Sequence, residues 1–170
     1  MKTIARLLLI IVLLFIASGC NLSPKVTDGI GTDVGNMAPN FQLMNIEGQN
    51  VSLIGLRGNP VILNFWASWC GPCREEMPFL QQIFEEWQNQ GVLLKGINLR
   101  EDPSQITGYM QGSGLSFPVL LDTDGSITQN YNVVGIPTTF FIDKDGIIQV
   151  RKLGPFSGVS EIEDYILEIR

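Results

Sequence analysis

Val61-Ile62-Leu63-Asn64-Phe65-Trp66-Ala67-Ser68-Trp69-Cys70-Gly71-Pro72-Cys73 decides how the rest of this chain is read. The apolar run from Val61 to Trp66 predicts a buried strand, and two cysteines three residues apart follow it directly. On a helix, positions i and i+3 share a face, within the Cα separation that a disulfide requires. A thiol pair that closes and reopens without moving the backbone is a redox device.

Working outward, Gly71 to about Asn89 turns helical. Met77, Leu80, Ile83, Phe84 and Trp87 recur at three- and four-residue steps, with Glu75, Glu76, Glu85 and Glu86 on other faces. Pro78 removes one backbone donor inside this pattern and is expected to kink the helix, and Gly91 stops it. Val92–Leu99 predicts a second buried strand. Asp102-Pro103 starts a second helix as N-cap and first-turn proline, with Ile106, Tyr109 and Met110 facing inward. Phe117–Leu121 is a third strand and Ser126–Tyr131 a short helix. Thr138–Asp143 and Ile147–Leu153 flank an Asp-Gly turn, and a last helix carries Val159, Ile162, Ile166 and Ile169 on one side, with a Ser160/Glu163 capping box. Upstream, Phe41–Leu43 and Asn50–Leu53 alternate around a turn as a hairpin. The pattern is an α/β sandwich with parallel strands first and an antiparallel pair last. The cysteine pair falls at the carboxyl end of a strand and the start of a helix, where open α/β sheets commonly hold their chemistry.

The N-terminus reads separately. Lys2 and Arg6 precede an apolar run from Leu7 to Ala17, then Ser18-Gly19-Cys20, the layout of a signal peptide over residues 1–19. The run is about half of the roughly 20 residues that span a bilayer, which leaves an uncleaved membrane anchor as the alternative. Ile16-Ala17-Ser18-Gly19-Cys20 resembles the lipobox of bacterial lipoproteins, with Ala17 standing where Leu or Val is usual. That resemblance implies lipidation of Cys20 and anchoring to the bacterial cell membrane. Residues 20–36, glycine-rich and without apolar period, read as a lipidated flexible tether, and 37–170 as the folded domain.

Three cysteines are present, and an odd one in an exported protein needs an explanation. Lipidation of Cys20 supplies it and leaves Cys70 and Cys73 as a pair outside the reducing cytosol. Removing residues 1–19 takes away Lys2 and Arg6 and no acid, so the formal charge moves from −6 to −8. An acidic chain without a basic run argues against nucleic acid as a partner. The absence of histidine excludes Ser-His and Cys-His nucleophile pairs and histidine-based metal sites. No metal site is expected, and no cofactor.

A thiolate is the nucleophile in disulfide exchange. A helix N-terminus stabilises an anion by up to ~2 kcal/mol, about one and a half pKa units. Cys70 at the helix tip is therefore the activated sulfur, and Cys73, one turn in, the resolving one. A purely structural bridge is the weaker alternative, because so short a loop constrains little of the unfolded chain.

Phe65–Arg74 resembles the active site of the thioredoxin superfamily, and Gly135-Ile136-Pro137-Thr138 resembles its cis-proline loop. Ala38-Pro39-Asn40-Phe41, Glu75-Glu76-Met77-Pro78 and Phe117–Asp122 are similar to the membrane-anchored TlpA/ResA-like thiol-disulfide oxidoreductases, which are related to the AhpC/TSA redoxins. The resemblance implies a thioredoxin-like α/β fold: a central mixed sheet flanked by helices, with an N-terminal β-hairpin extension and an insertion after the second core strand. It implies a cis peptide at Pro137 beside the cysteines, leaving the Ile136 backbone to meet a substrate. Trp69 would cover the disulfide, and Gly71 and Pro72 would shape the loop between the thiols. Asn64 occupies the position of a buried aspartate in cytosolic thioredoxins, and Glu101 matches a glutamate near the active site of ResA-like proteins. Gly71-Pro72 departs from the acidic residue that ResA-like reductases often carry between the cysteines.

The expected function is an extracytoplasmic reductase of disulfides in exported proteins, apocytochrome c among them, recharged by a membrane electron donor. Two alternatives stand beside it. A thiol peroxidase shares the hairpin and fold, but its motif has proline seven and threonine three residues before the cysteine, where this chain has Leu63 and Ala67. A non-enzymatic surface lipoprotein would use the fold only to bind.

Overall fold

In the computed structural model, which describes residues 29–170, β3 (Val61–Trp66) is an interior strand of the sheet and all six of its residues are buried. A strand covered on both faces has no solvent side on which to alternate, which is why its sequence is a nearly unbroken apolar run. It pairs in parallel with β4 (Leu93–Leu99), which pairs in parallel with β5 (Val119–Asp122). On its other side it runs antiparallel to β6 (Thr138–Ile142), followed by β7 (Ile148–Leu153). The hairpin of β1 (Gln42–Asn45) and β2 (Asn50–Ser52) extends the sheet beyond β5, giving the order β2-β1-β5-β4-β3-β6-β7.

Four helices cover this sheet. α1 (Gly71–Trp87) crosses from β3 to β4 and runs unbroken through Pro78, on its exposed side. It ends in a short 3-10 turn, with Gly91 in the left-handed region at φ 84°. α2 (Pro103–Gly112) starts at a capping box of Asp102 and Gln105. With β5 and α3 (Ser126–Asn130) it fills the connection from the second core strand, β4, to β6, one helix and one strand more than a single crossover needs. α4 (Val159–Ile169) closes the described chain. Its N-terminus differs from the expected Ser160/Glu163 box. The helix begins at Val159, so the acid placed to reach back is Glu161, which accepts from the Ser157 N–H and hydroxyl at 2.8 Å each.

Side chains alternate along β3 and build two cores. Ile62 and Trp66 pack with Cys73, Met77 and Leu80 of α1 and Ile162 and Ile166 of α4. Leu63 and Phe65 face the opposite layer, where Phe65, Tyr131 and Phe140 stack at centroid distances of 5.2–5.7 Å. Tyr131 donates its hydroxyl to the Pro39 carbonyl at 2.6 Å, fixing the chain just ahead of the loop that carries Pro137.

Residues 29–36 differ from the expected tether. Gly35 donates to the Ile148 carbonyl at 2.8 Å and Ile148 to that of Asn36 at 2.9 Å. Ile30 bridges to Met37, Thr32 is buried, and the Asn132 amide donates to its hydroxyl at 3.0 Å. The glycines that suggested flexibility supply a turn here, Gly35 at φ 89°. Residues 1–28, including Cys20 and the signal-peptide pattern, lie outside the described residues. Among the described residues no helix is long and apolar enough to cross a membrane.

Gly96 shows how tightly the first core closes. It pairs across from Asn64, and a Cβ there would lie 2.8 Å from Trp66 Nε1 and 2.9 Å from the Phe117 ring. Gly96→Ala should lower stability by about 1–3 kcal/mol, read as a lower urea midpoint with the disulfide intact. An unchanged midpoint would contradict this packing.

Candidate active site

The end of β3 delivers the chain through Ala67-Ser68-Trp69 to Cys70, the N-cap of α1. Cys70 and Cys73 are bridged, with their Cα atoms 5.3 Å apart. The Cys73 N–H points at Cys70 Sγ, at 3.2 Å. In the reduced protein that amide and the first-turn N–H groups face the Cys70 thiolate, so the charge is stabilised where it forms. Cys70 is 4% exposed and Cys73 fully buried. An incoming group reaches the outer sulfur, and the inner one is available only from within.

Of the two residues between the cysteines, Pro72 occupies the first turn, where its missing N–H costs nothing. Gly71 is not demanded by the backbone. A Cβ there meets nothing within 4 Å, and its φ is not in the left-handed region.

The second wall is the loop before β6. The Ile136–Pro137 peptide is cis, and the Ile136 carbonyl oxygen lies 3.7 Å from Cys70 Sγ. Thr138 steadies the loop by donating its hydroxyl to the Gly135 carbonyl at 2.7 Å. The resemblance implied this juxtaposition, and 66 residues of separation are closed by the antiparallel pairing of β3 with β6. The surface around the disulfide is mixed: a cleft of about 670 Å³ beside Gly71 is lined by Ser68, Arg74, Glu75 and Tyr109, and apolar groups stand on the side of the Pro137 loop. Trp69 is 66% exposed and Val134 95%, and a cleft of about 200 Å³ runs between the Pro137 loop and Leu153-Gly154. Trp69 is thus a rim residue rather than part of the core.

Glu101 does not touch the cysteines. Its carboxylate accepts from the Ser68 hydroxyl and, at 2.7 Å each, from the Ser68 N–H and the Asn98 amide. It arrives from the end of β4 and holds the segment that carries Trp69 and Cys70.

Asn64 lies on the same face of β3 as Ile62 and Trp66, and it is fully buried. Its amide donates to Glu76 Oε1 at 2.7 Å and to the Thr139 hydroxyl at 2.9 Å. Glu76 is therefore not on an outer face of α1, as the sequence suggested, but fully buried. Its other oxygen accepts from the Phe156 N–H at 3.0 Å. The missed signal was spacing: Glu76 follows Cys73 by three and precedes Leu80 by four, on the buried stripe itself. Among the described residues one other acid, Asp122, is fully buried, and it is consumed by capping α3 through Ile127 and Thr128. Burial pushes the Glu76 carboxyl up to about 7, against the pull of its two hydrogen bonds. One helical turn from the inner cysteine, it can take up and release a proton near neutral pH.

Comparison with known proteins agrees with this geometry. The sequence model of the AhpC/TSA family matches residues 34–151. The chain is 36% identical over 132 residues to the thiol-disulfide oxidoreductase ResA of Bacillus subtilis, covering 78% of this chain and 73% of that protein. It is 32% identical over 169 residues to the ResA of Bacillus anthracis, covering 96% of each. Among solved structures it resembles a thioredoxin-family thiol:disulfide interchange protein from Chlorobium tepidum, with TM-score 0.71, 29% identity and coverage of 84% and 99%. It also resembles StoA from Bacillus subtilis, with TM-score 0.66, 30% identity and coverage of 75% and 96%.

The raised pKa of Glu76 ties stability to pH. Between about 4.5, its ordinary value, and about 7 the folded chain holds a proton that the unfolded chain has released. Stability contributed by the neutral form is complete below 4.5 and is lost as pH rises through 7, on the order of 3 kcal/mol at most. Glu76→Gln, which carries no such proton, should gain stability relative to the native chain by up to that amount from pH 4.5 to 7.5. Urea denaturation across this window checks it, and a constant difference would contradict it.

Proposed function

We propose, from the premise that this chain belongs to the AhpC/TSA family and is a thiol-disulfide oxidoreductase of the ResA type, that it reduces disulfides of exported proteins outside the cytosol. Support for the compartment comes from the signal-peptide pattern and from Cys20, read as the lipidated anchor to the cell membrane. Support for the chemistry comes from one arrangement above all. A nearly buried outer sulfur at a helix N-terminus stands over an inner thiol, with a carboxyl near neutrality one turn further along.

The exchange then runs in two steps. The Cys70 thiolate attacks one sulfur of the substrate disulfide, forming a mixed disulfide and expelling the other substrate sulfur as a thiolate, which takes a proton from solvent. The incoming chain docks along the Ile136–Pro137 edge, with Trp69 and Val134 as apolar rim. Cys73 next gives its proton to Glu76, and its thiolate attacks Cys70 Sγ. The Cys70–substrate bond breaks as the Cys70–Cys73 bond is restored; the second substrate sulfur leaves as a thiolate and takes a proton from solvent, and Glu76 releases the Cys73 proton to solvent. Two electrons have passed to the substrate, and a membrane dithiol donor returns them. Apocytochrome c, with its paired cysteines, is the substrate class that the ResA resemblance suggests.

The family also contains peroxidases, but Leu63 and Ala67 are fully buried apolar residues where that chemistry uses proline and threonine. No hydroxyl stands there to bind a peroxide.

Cys73→Ala should accumulate partners linked to Cys70 in membranes of an expressing cell, visible as thiol-sensitive bands on non-reducing gels. The Cys70→Ala/Cys73→Ala control should show none. Absence of any adduct overturns the two-step route. The direction of electron flow is read from the reduction potential of the pair. A value near the roughly −270 mV of thioredoxin supports a reductase, and one near the roughly −120 mV of a strong oxidant defeats it.

A further inference from the structure

Between β7 and α4 the chain spends its polar groups in an unusual way. The Gly154 N–H donates to the Pro137 carbonyl at 2.9 Å, which ties the loop to the docking edge. The Phe156 N–H donates to the buried Glu76, and the Ser157 N–H to Glu161. Three successive carbonyls, of Leu153, Gly154 and Pro155, all turn toward one ammonium, Lys152 Nζ, at 3.2, 3.4 and 3.0 Å. Lys152 also pairs with Glu161 at 3.6 Å and lies 5.6 Å from the centre of the Phe156 ring. The side chains of this pair are 20% and 26% exposed, against 63% and 70% for the surface pair Lys144–Asp145. A shielded pair is less screened by water than an open one.

We propose that Lys152 is a positioning residue for the exchange reaction: by clamping the β7–α4 loop it holds the Phe156 amide on Glu76, and its charge helps keep Glu76 able to accept the proton of Cys73. This rests on the proton-acceptor role proposed above for Glu76. The groups that bear on Glu76 come from each element around it. Cys73 lies on its own helix, and Asn64 on β3 and the Phe156 N–H bond it directly. Thr139 on β6 reaches it through Asn64, and Lys152 on β7 and Glu161 on α4 act as charges of opposite sign. Lys152 favours the ionised carboxylate and Glu161 disfavours it, so the pair is a balance. Loss of either partner should displace the acidity of Glu76 in opposite directions, whereas a scaffold contact would respond alike to both losses.

The test reads the resolving step alone. Cys70 is loaded as a mixed disulfide with thionitrobenzoate, and release of the coloured thiol by Cys73 is followed by stopped flow from pH 5 to 9. In the native protein the rate should rise through an acid limb near the Glu76 value of about 7. Lys152→Met should move that limb to higher pH, with about two- to threefold slower release at pH 7. Glu161→Gln should move it to lower pH, and Lys152→Arg should restore the native profile. Circular dichroism establishes that each variant is folded. If Lys152→Met and Glu161→Gln shift the limb in the same direction, or not at all, while Glu76→Gln abolishes it, the role of Lys152 is overturned and that of Glu76 stands. If Glu76→Gln leaves the limb unchanged, both fall.

Discussion

A carboxyl group held out of water at the centre of the molecule is the constraint on which the site depends. Glu76 receives one donor from β3, through Asn64, and one from the β7–α4 loop, through the Phe156 amide. Burying an ionisable group without partners is costly, so these two bonds are what permit the acid to sit beneath the disulfide. They also lock three parts of the chain together: the interior strand β3, the helix that carries both cysteines, and the loop that reaches the Pro137 carbonyl through Gly154. The same placement that makes Glu76 expensive makes it useful, because desolvation moves its titration into the range where a thiol proton needs a destination.

Outside this buried line, the reactive end combines an exposed Trp69 with Arg74 and Glu75, which line the cleft beside Gly71. Cys70 caps α1 with its own sulfur, and the N–H groups of the first turn supply a favourable field for its thiolate. Glu101 is spent entirely on Ser68 and Asn98, so its charge serves the position of the Trp69-Cys70 segment rather than the reaction. The exposed Trp69 and Val134 leave a greasy rim suited to a partly unfolded chain.

Much of this was legible before any coordinates. The unbroken apolar run Val61–Trp66, the i and i+3 cysteines and Pro72 at the first turn place a dithiol at a strand-to-helix junction. Strand and helix periods elsewhere locate the remaining elements to within a few residues. Three points were not legible, each for a physical reason. Glycine-rich residues 29–36 have the composition of a tether, and composition cannot report that the Gly35 amide and the Asn36 carbonyl pair with Ile148 of β7. The cap of α4 falls two residues before Ser160, since serine and glutamate recur there and only the first helical residue decides which pair closes. The charge of Glu76 argues for an outer face, and only its spacing from Cys73 and Leu80 argues for the core.

What the sequence by itself determined is therefore the reaction type and the frame that presents it, because apolar periodicity, helix-start chemistry and the Cys70–Cys73 interval are local properties of the chain. What only the tertiary structure decided is which distant residues meet beneath and beside the disulfide. Asn64, Glu76, Lys152 and Phe156 are spread over 92 residues, and Ile136 lies 66 residues from the sulfur it approaches. Contacts between such distant positions follow from strand order and register. The value at which an acid titrates depends on the solvent and partners that the closed fold leaves it.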